Sequence, residues 1–231
     1  MDKEKFKYFY KMKVPVEHGK YYHIFNRGNN YDNIFINPED YEHFLSIYKI
    51  YINPIAETYA WCLMKNHFHL LVRIKDENEI GYLSAKNAKN ENPEIKWKTY
   101  NVEHVGGEYI KKPNPTQQFK HLFNAYARWF NIRHNRISSL FEKNFERKMI
   151  NTKKQLINLI LYIHNNPVKH GFTQSLIEYP WTSYFSIVDN SVTFEKKDEV
   201  IQYFNDIDNF KVVHSQHSAK YENQITELLF E

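Results

Sequence analysis

The sequence predicts an α+β fold, and three observations carry that prediction. Residues 55–64 and 67–73 are strand-like apolar runs joined at the polar pair Lys65-Asn66, the pattern of an antiparallel β-hairpin. A strand-like run and a helical run precede them, so the chain opens in the order β-α-β-β. Two further stretches with helical apolar spacing follow, with a strand-like segment between them.

After a polar lead-in, Lys20-Tyr21-Tyr22-His23-Ile24-Phe25-Asn26 is rich in strand formers and runs into the turn signal Arg27-Gly28-Asn29-Asn30. Asn37-Pro38-Glu39-Asp40 then supplies an N-cap, a proline at the first helical position and acidic residues in the first turn. Phe44, Ile47, Tyr48 and Tyr51 recur at helical spacing behind it until Asn53-Pro54 stops the helix. In the hairpin, side chains alternate between faces, which puts His67 and His69 on one face roughly 7 Å apart. Phe68, Leu70 and Val72 point the other way, into a core.

Residues 76–115 change character. Lys, Asn, Glu, Gly106-Gly107 and Pro113-Asn114-Pro115 dominate, so this polar insertion is a lid or binding loop, or it hides a short helix near residues 80–86. Thr116 opens a helix with Phe119, Leu122, Phe123, Tyr126 and Phe130 on one face, ending between Asn131 and Asn135. Residues 138–150 hold a turn and a strand. Thr152-x-x-Gln155 is a capping box that starts a second helix with Leu156, Leu159, Ile160 and Ile163 on its core face, and Asn165-Asn166-Pro167 ends it. The tail, 172–231, has weak periodicity and room for a short helix near 198–203; no internal repeat is visible.

Composition bounds the function. The formal charge is only +4, from 31 Lys+Arg against 27 Asp+Glu, which excludes a uniformly basic nucleic-acid coat. The cations are unevenly spread: Arg128, Arg133, Arg136, Lys143, Arg147, Lys148, Lys153 and Lys154 are opposed only by Glu142 and Glu146. That segment is a solvated helix face or a phosphate track. Aromatics make up 17% of the chain, enough for a dense core or for rings on which bases stack. A lone cysteine, Cys62, excludes a disulfide framework and a Cys-rich zinc site, and points to a reducing cytosol. No run approaches the ~20 apolar residues of a membrane span, and Met1-Asp2-Lys3-Glu4-Lys5-Phe6-Lys7 lacks a secretory h-region. The expectation is a soluble intracellular protein with no membrane partner.

The His67-x-His69 spacing suits two imidazoles converging on one divalent cation, although short histidine spacings also arise in ordinary packing. Tyr126 lies on an apolar helical face, where a tyrosine is ordinarily core.

Several fragments in one order add to this. Tyr22-His23-Ile24-Phe25-Asn26-Arg27-Gly28, Met64-Lys65-Asn66-His67-Phe68-His69-Leu70-Leu71-Val72 and Tyr126-Ala127-Arg128-Trp129-Phe130-Asn131 are followed by Tyr162-Ile163-His164-Asn165-Asn166-Pro167-Val168-Lys169-His170-Gly171 and Trp181-Thr182-Ser183. From about residue 20 to 186 this set resembles the single-tyrosine HUH transposases of the insertion-sequence type, most closely the REP-associated tyrosine transposases. The resemblance implies a ferredoxin-like antiparallel sheet with helices packed on one side. It assigns residues 1–186 to a transposase domain, with 76–115 as an insertion and 187–231 as a C-terminal extension. Lys65 stands where the family commonly has proline.

The resemblance also implies a chemistry. The family cuts and rejoins single-stranded DNA beside hairpins with Mg²⁺ or Mn²⁺, through a 5′-phosphotyrosine. Carried over, Tyr126 is the nucleophile, and His67 and His69 are metal ligands. Relatives recruit a polar side chain one helical turn past the nucleophile; here that position is Phe130, which cannot ligate, so the neighbouring Asn131 is taken as the third ligand. Arg27, Arg133, Arg136, Arg147 and Lys169 are the candidate DNA contacts, and His23 matches a histidine of the family's first strand, read as a hydrogen-bonding residue. The implied partner is single-stranded DNA with hairpin elements, met by a monomer or homodimer in the bacterial cytoplasm, nucleoid-associated when bound. A hairpin-binding protein without catalysis keeps the same motifs. A plasmid-type initiator or relaxase shares the histidine pair but not the motif order. A metal-dependent hydrolase needs carboxylates beside the pair, and residues 60–75 contain none. The enzyme reading requires one phenol and the imidazole pair to reach the same phosphate.

Overall fold

The computed structural model describes residues 16–81, 83–84, 103–105, 108–142, 144–189 and 194–216. Strands β1 (Tyr21–Arg27), β2 (Ala56–Met64), β3 (His67–Ile74) and β7 (Glu146–Ile150) form an antiparallel sheet in the order β2-β3-β1-β7. Helix α1 (Pro38–Ile52) joins β1 to β2, and α2 (Pro115–Arg133) precedes β7. This β-α-β-β-α-β order with the last strand beside the first is the ferredoxin-like arrangement, and the α+β expectation holds.

Helices α1 and α2 cover one face. Ile24, Phe68, Leu70 and Val72 meet Phe44, Tyr48, Phe119 and Tyr126 in one buried core. The opposite face is covered too, by α3 (Lys153–Lys169) and the tail: Ala60, Cys62, Met64 and Leu71 pack on Leu159, Ile160, Tyr162, Ile163 and Phe210. Helices therefore lie on both sides of the sheet rather than on one. The cause is visible in β2, whose Ala-Glu-Thr-Tyr-Ala-Trp-Cys-Leu-Met run is buried at eight of nine positions. A nearly continuous apolar strand needs cover on both faces.

Local chemistry fixes the frame. The Asp40 carboxylate accepts from Ile36 N at 2.7 Å and Asn37 N at 3.1 Å, so the first turn of α1 is capped by its own third residue. At the hairpin tip, Lys65 O accepts from Ile34 N at 2.7 Å and Phe35 N at 2.9 Å, while Asn66 O accepts from Gly28 N at 2.8 Å. A Cβ at position 28 would stand 1.9 Å from Asp32 O, so only glycine lets the chain pass this close. The capping box of α3 is formed: Thr152 Oγ1 accepts from Gln155 N at 3.1 Å and Gln155 Oε1 from Thr152 N at 3.2 Å.

Helix α3 does not stop at Asn165-Asn166-Pro167. Pro167 sits inside it and removes only its own N–H bond; the final turn survives through His170 N to Asn166 O at 3.0 Å, and Gly171, at φ +70°, supplies the stop. In the polar insertion, Leu83–Ser84 (β4) pairs with β6 (Glu108–Lys111), which pairs with β5 (Glu103–Val105). Of the short helix considered near 80–86, residues 80–81 are irregular and 83–84 are strand, while residues 82, 85–102 and 106–107 lie outside the described residues. Among the described residues, no helix is long and apolar enough to cross a membrane.

The tail, with α4 (Ser183–Val188), α5 (Lys197–Tyr203) and α6 (Ile207–Gln216), is bound into the sheet through buried polar bonds. The helix expected near 198–203 is α5; residues 190–193 and 217–231 lie outside the described residues. His164 Nδ1 lies 2.9 Å from His214 Nε2, and its Nε2 lies 2.8 Å from Ser183 Oγ, which accepts from Trp61 N at 2.9 Å. His214→Ala removes a fully buried ring and leaves His164 Nδ1 without this partner. Thermal denaturation is expected to show a loss of about 2–4 kcal/mol. A loss below about 0.5 kcal/mol, the range of a surface change, would mean that α6 is not part of the folded core.

Candidate active site

His67 and His69 share one face of β3, as their spacing requires, and that face meets α3. Their ring centroids are 5.3 Å apart. Tyr162 of α3 stands over the pair, its ring 5.3 Å from that of His69, and Lys169 Nζ lies 5.7 Å from the Tyr162 ring centroid. Asn166 follows Tyr162 by four residues, one helical turn, so the two side chains share a face of α3. His170 closes the open end, 5.1 Å from His67 between ring centroids.

The site is drier than an exposed histidine pair would be. His69 is 7% exposed, Tyr162 8% and Asn166 0%. Burial drives the His67 pKa down to about 4, with help from the neighbouring His170, and holds His69 well below the ordinary imidazole value. Both rings are neutral at pH 7, the form that binds metal. Burial raises the Tyr162 phenol, and the Asn166 amide pulls it part of the way back. Asn166 influences His67 as well, yet its amide meets neither neighbour at full hydrogen-bonding geometry.

The donor set fits a divalent cation. His67 Nδ1 lies 2.7 Å from Asn66 Oδ1, and a carboxamide oxygen only accepts, so the His67 proton is on Nδ1 and its Nε2 lone pair is free. His69 Nε2 and both Asn166 amide atoms are buried without a hydrogen-bond partner. Such groups are costly to bury unpaired, and a cation would satisfy the nitrogen and the amide oxygen together. Two imidazoles and one carboxamide oxygen leave positions for water and phosphate oxygens around Mg²⁺ or Mn²⁺. No group of three His, Cys, Asp or Glu among the described residues could hold a metal, so this site depends on the carboxamide.

The structure does not bring Tyr126 or Asn131 to this site. Tyr126 is 0% exposed in the core on the other face of the sheet, and its hydroxyl donates to Ile34 O at 2.6 Å. Burial raises its pKa far above the ordinary phenol value. Its environment is that of a satisfied core tyrosine, the bland alternative for a residue on an apolar helical face. Asn131 Nδ2 donates to Ser138 O at 2.9 Å, and the residue lines a separate cleft of about 670 Å³ with Lys120, Arg128 and Arg147.

The other cations divide in the same way. Lys169 belongs to the histidine site. Arg27 pairs in register with His67 and depresses its pKa, while its guanidinium bonds Glu142 at 2.6 Å. Arg133 lies 3.6 Å from each of Glu39 and Asp40, and Arg136 pairs with Asp32. Arg147 is in register with Ile24 and so faces the α1–α2 side. Sequence reasoning missed Tyr162 and Asn166 as site residues, although both stand in the Tyr-x-x-x-Asn-Pro segment that carried part of the resemblance. Their signal was a phenol and a carboxamide one helical turn apart.

No family model matches the chain. A curated Haemophilus influenzae protein, provisionally named a REP-associated tyrosine transposase, is 25% identical over 129 residues, covering 55% of this chain and 58% of that protein. The chain thus spans a little over half the length of that relative. A solved structure of a REP-associated tyrosine transposase bound to a REP hairpin matches with a TM-score of 0.51 at 14% identity, over 79% of this chain and 87% of that one. The structural likeness shows the fold, and with the sequence relative it bears out the resemblance read from the motifs.

Proposed function

We propose that this chain cuts and rejoins single-stranded DNA beside hairpins, through a 5′-phosphotyrosine formed on Tyr162, in the bacterial cytoplasm. The observation that carries the reading is the convergence of His67, His69, Tyr162 and Asn166 between β3 and α3. His67 Nε2, His69 Nε2 and Asn166 Oδ1 would hold Mg²⁺ or Mn²⁺, which when bound polarises a non-bridging phosphate oxygen and stabilises the departing 3′ oxygen.

The protein's own groups do the rest. The Tyr162 oxygen attacks phosphorus and forms a P–O bond as the P–O3′ bond breaks; the phenol gives up its proton to solvent, and the departing 3′ oxygen takes one from solvent to become a hydroxyl. One phosphoester replaces another, so a second DNA 3′-hydroxyl reverses the step without ATP. Lys169 lowers the cost of charge on the phenolate and on phosphate. Low exposure of His69 and Tyr162 keeps water from competing for the phosphotyrosine. The members other than histidine are a phenol, a carboxamide and an ammonium rather than carboxylates, which favours attack by the phenol over activation of water. Lys169 and Arg27, on the histidine face, are the first candidates for contacts to the DNA strand; Arg133 and Arg136 are engaged in ion pairs elsewhere.

The test is to incubate the protein with Mn²⁺ and an oligonucleotide carrying a hairpin and a single-stranded flank, then map the DNA-linked peptide by mass spectrometry. Linkage at Tyr162 is expected. Linkage at another tyrosine overturns the assignment of the nucleophile, and hairpin binding with no linked peptide favours a DNA-hairpin-binding protein without catalysis.

A further inference from the structure

His23 of β1 has no part in the proposed chemistry, yet it touches one of its members directly. Its Nε2 lies 2.9 Å from His69 Nδ1, and the two rings stack at 5.0 Å and 30° between centroids. The contact follows from register: His23 pairs with Leu71 and His69 with Phe25, so the two histidines are diagonal neighbours on one face of the sheet. His23 is 2% exposed, packed against Phe25 at 4.6 Å, and has little freedom to turn away.

The two histidines of the site are oriented differently. Asn66 Oδ1 fixes the His67 tautomer because that oxygen can only accept. His23 imposes no such one-way choice, because a neutral imidazole nitrogen either donates or accepts. If His69 donates from Nδ1, its Nε2 is a bare lone pair aimed into the site. If His23 donates from Nε2, His69 carries its proton on Nε2 and cannot ligate there. His69 Nε2 and His23 Nδ1 are the two ring atoms left buried without a partner, one at each end of the pair. The single proton between the rings therefore decides whether the site is ready for a cation.

We propose that His23 is a positioning residue: it accepts the His69 Nδ1 proton, holds His69 in the Nδ1–H tautomer, and thereby presents Nε2 to the divalent cation. The proposal rests on the reading of His67, His69 and Asn166 as a cation site. Its corollary is that the proton of His23 itself sits on Nδ1, so the tautomers of the two rings are locked together. A partner behind a metal-bound histidine sets its orientation and basicity, and loss of such a partner typically costs 10–100-fold in metal affinity.

Two measurements test it, and they fail separately. Long-range ¹H–¹⁵N correlation on the metal-free, full-length protein reads each tautomer directly. His69 and His23 are both expected as Nδ1–H in the wild type, and a His69 proton on Nε2 overturns the proposal whether or not metal binds. Mn²⁺ titration followed by electron paramagnetic resonance compares variants: His23→Leu is expected to weaken binding about 10–100-fold, and His23→Gln, whose side-chain oxygen can occupy the place of Nε2, to recover most of it. Equal affinities in all three proteins overturn the positioning role. Absence of Mn²⁺ binding in the wild type refutes the cation site, and with it this role for His23.

Discussion

Tyr162→Phe is expected to abolish the covalent DNA adduct, and Tyr126→Phe to retain it. Phenylalanine has no oxygen to attack phosphorus, and Tyr162 is the phenol that stands against His69. The adduct on a denaturing gel is therefore expected to fall by at least ~10³-fold, to background, with the melting temperature little changed. Tyr126→Phe has the opposite signature. It deletes a buried hydroxyl that donates to Ile34 O at 2.6 Å and leaves that carbonyl unpaired. A loss of about 1–3 kcal/mol in stability is expected, with adduct formation per folded molecule unchanged. If Tyr126→Phe removed the adduct and Tyr162→Phe left it, the phenol buried behind the sheet would have to reach the site, and the packing described above would be wrong for the active state.

Why the fold was legible and the nucleophile was not is a matter of which physical signals are local. The helix start at Asn37-Pro38, the hairpin at Lys65-Asn66 and the capping box at Thr152 and Gln155 are encoded within a few residues of where they act, and each is formed, with the Asp40 carboxylate rather than the Asn37 side chain capping α1. Alternation along β3 correctly separated His67 and His69 from Phe68, Leu70 and Val72. Alternation does not say which helix covers which face. Helices α2 and α3 both carry a tyrosine on an apolar stripe, and only the order of the strands puts α2 on the Phe68 side and α3 on the histidine side. The end of α3 misled for a related reason: Asn-Pro reads as a stop, but Asn166 is 0% exposed beside the histidines, and the turn that holds it there outlasts the proline. A buried carboxamide without partners gives no sequence signal of its own, and neither does the diagonal contact of His23 with His69.

Dense burial of neutral histidines has a further consequence, an acid transition well above the carboxylate range. In the unfolded chain each imidazole binds a proton with a pKa near 6.5. In the fold, burial holds His23 down at about 3, and His69 and His164 well below the ordinary value. The unfolded state therefore binds more protons between those limits, and stability declines as pH drops below about 6.5. At pH 5 His23 alone costs about 2 kcal/mol, and His69 and His164 act in the same direction, against a total stability of about 5–15 kcal/mol for an ordinary domain. Glu195 opposes the trend, because burial raises its carboxyl and the fold holds its proton more tightly. Glu79 and Glu199, both lowered by hydrogen bonds and nearby cations, lose their contributions only as pH falls below about 4.5, after the histidines have acted. Circular dichroism melts between pH 7.5 and 4.5 are expected to show a melting temperature that declines progressively below about pH 6.5. Saturating Mn²⁺ at pH 5.5 is expected to restore about 2–3 kcal/mol, since a cation on the lone pairs of His67 and His69 competes with protons there and stabilises the fold by mass action. His164 has no such protection, so the rescue is partial. A melting temperature flat down to pH 4.5 would mean that the three rings are not buried neutral, and rescue by Mn²⁺ that persists in a His67→Ala/His69→Ala double variant would place the cation elsewhere.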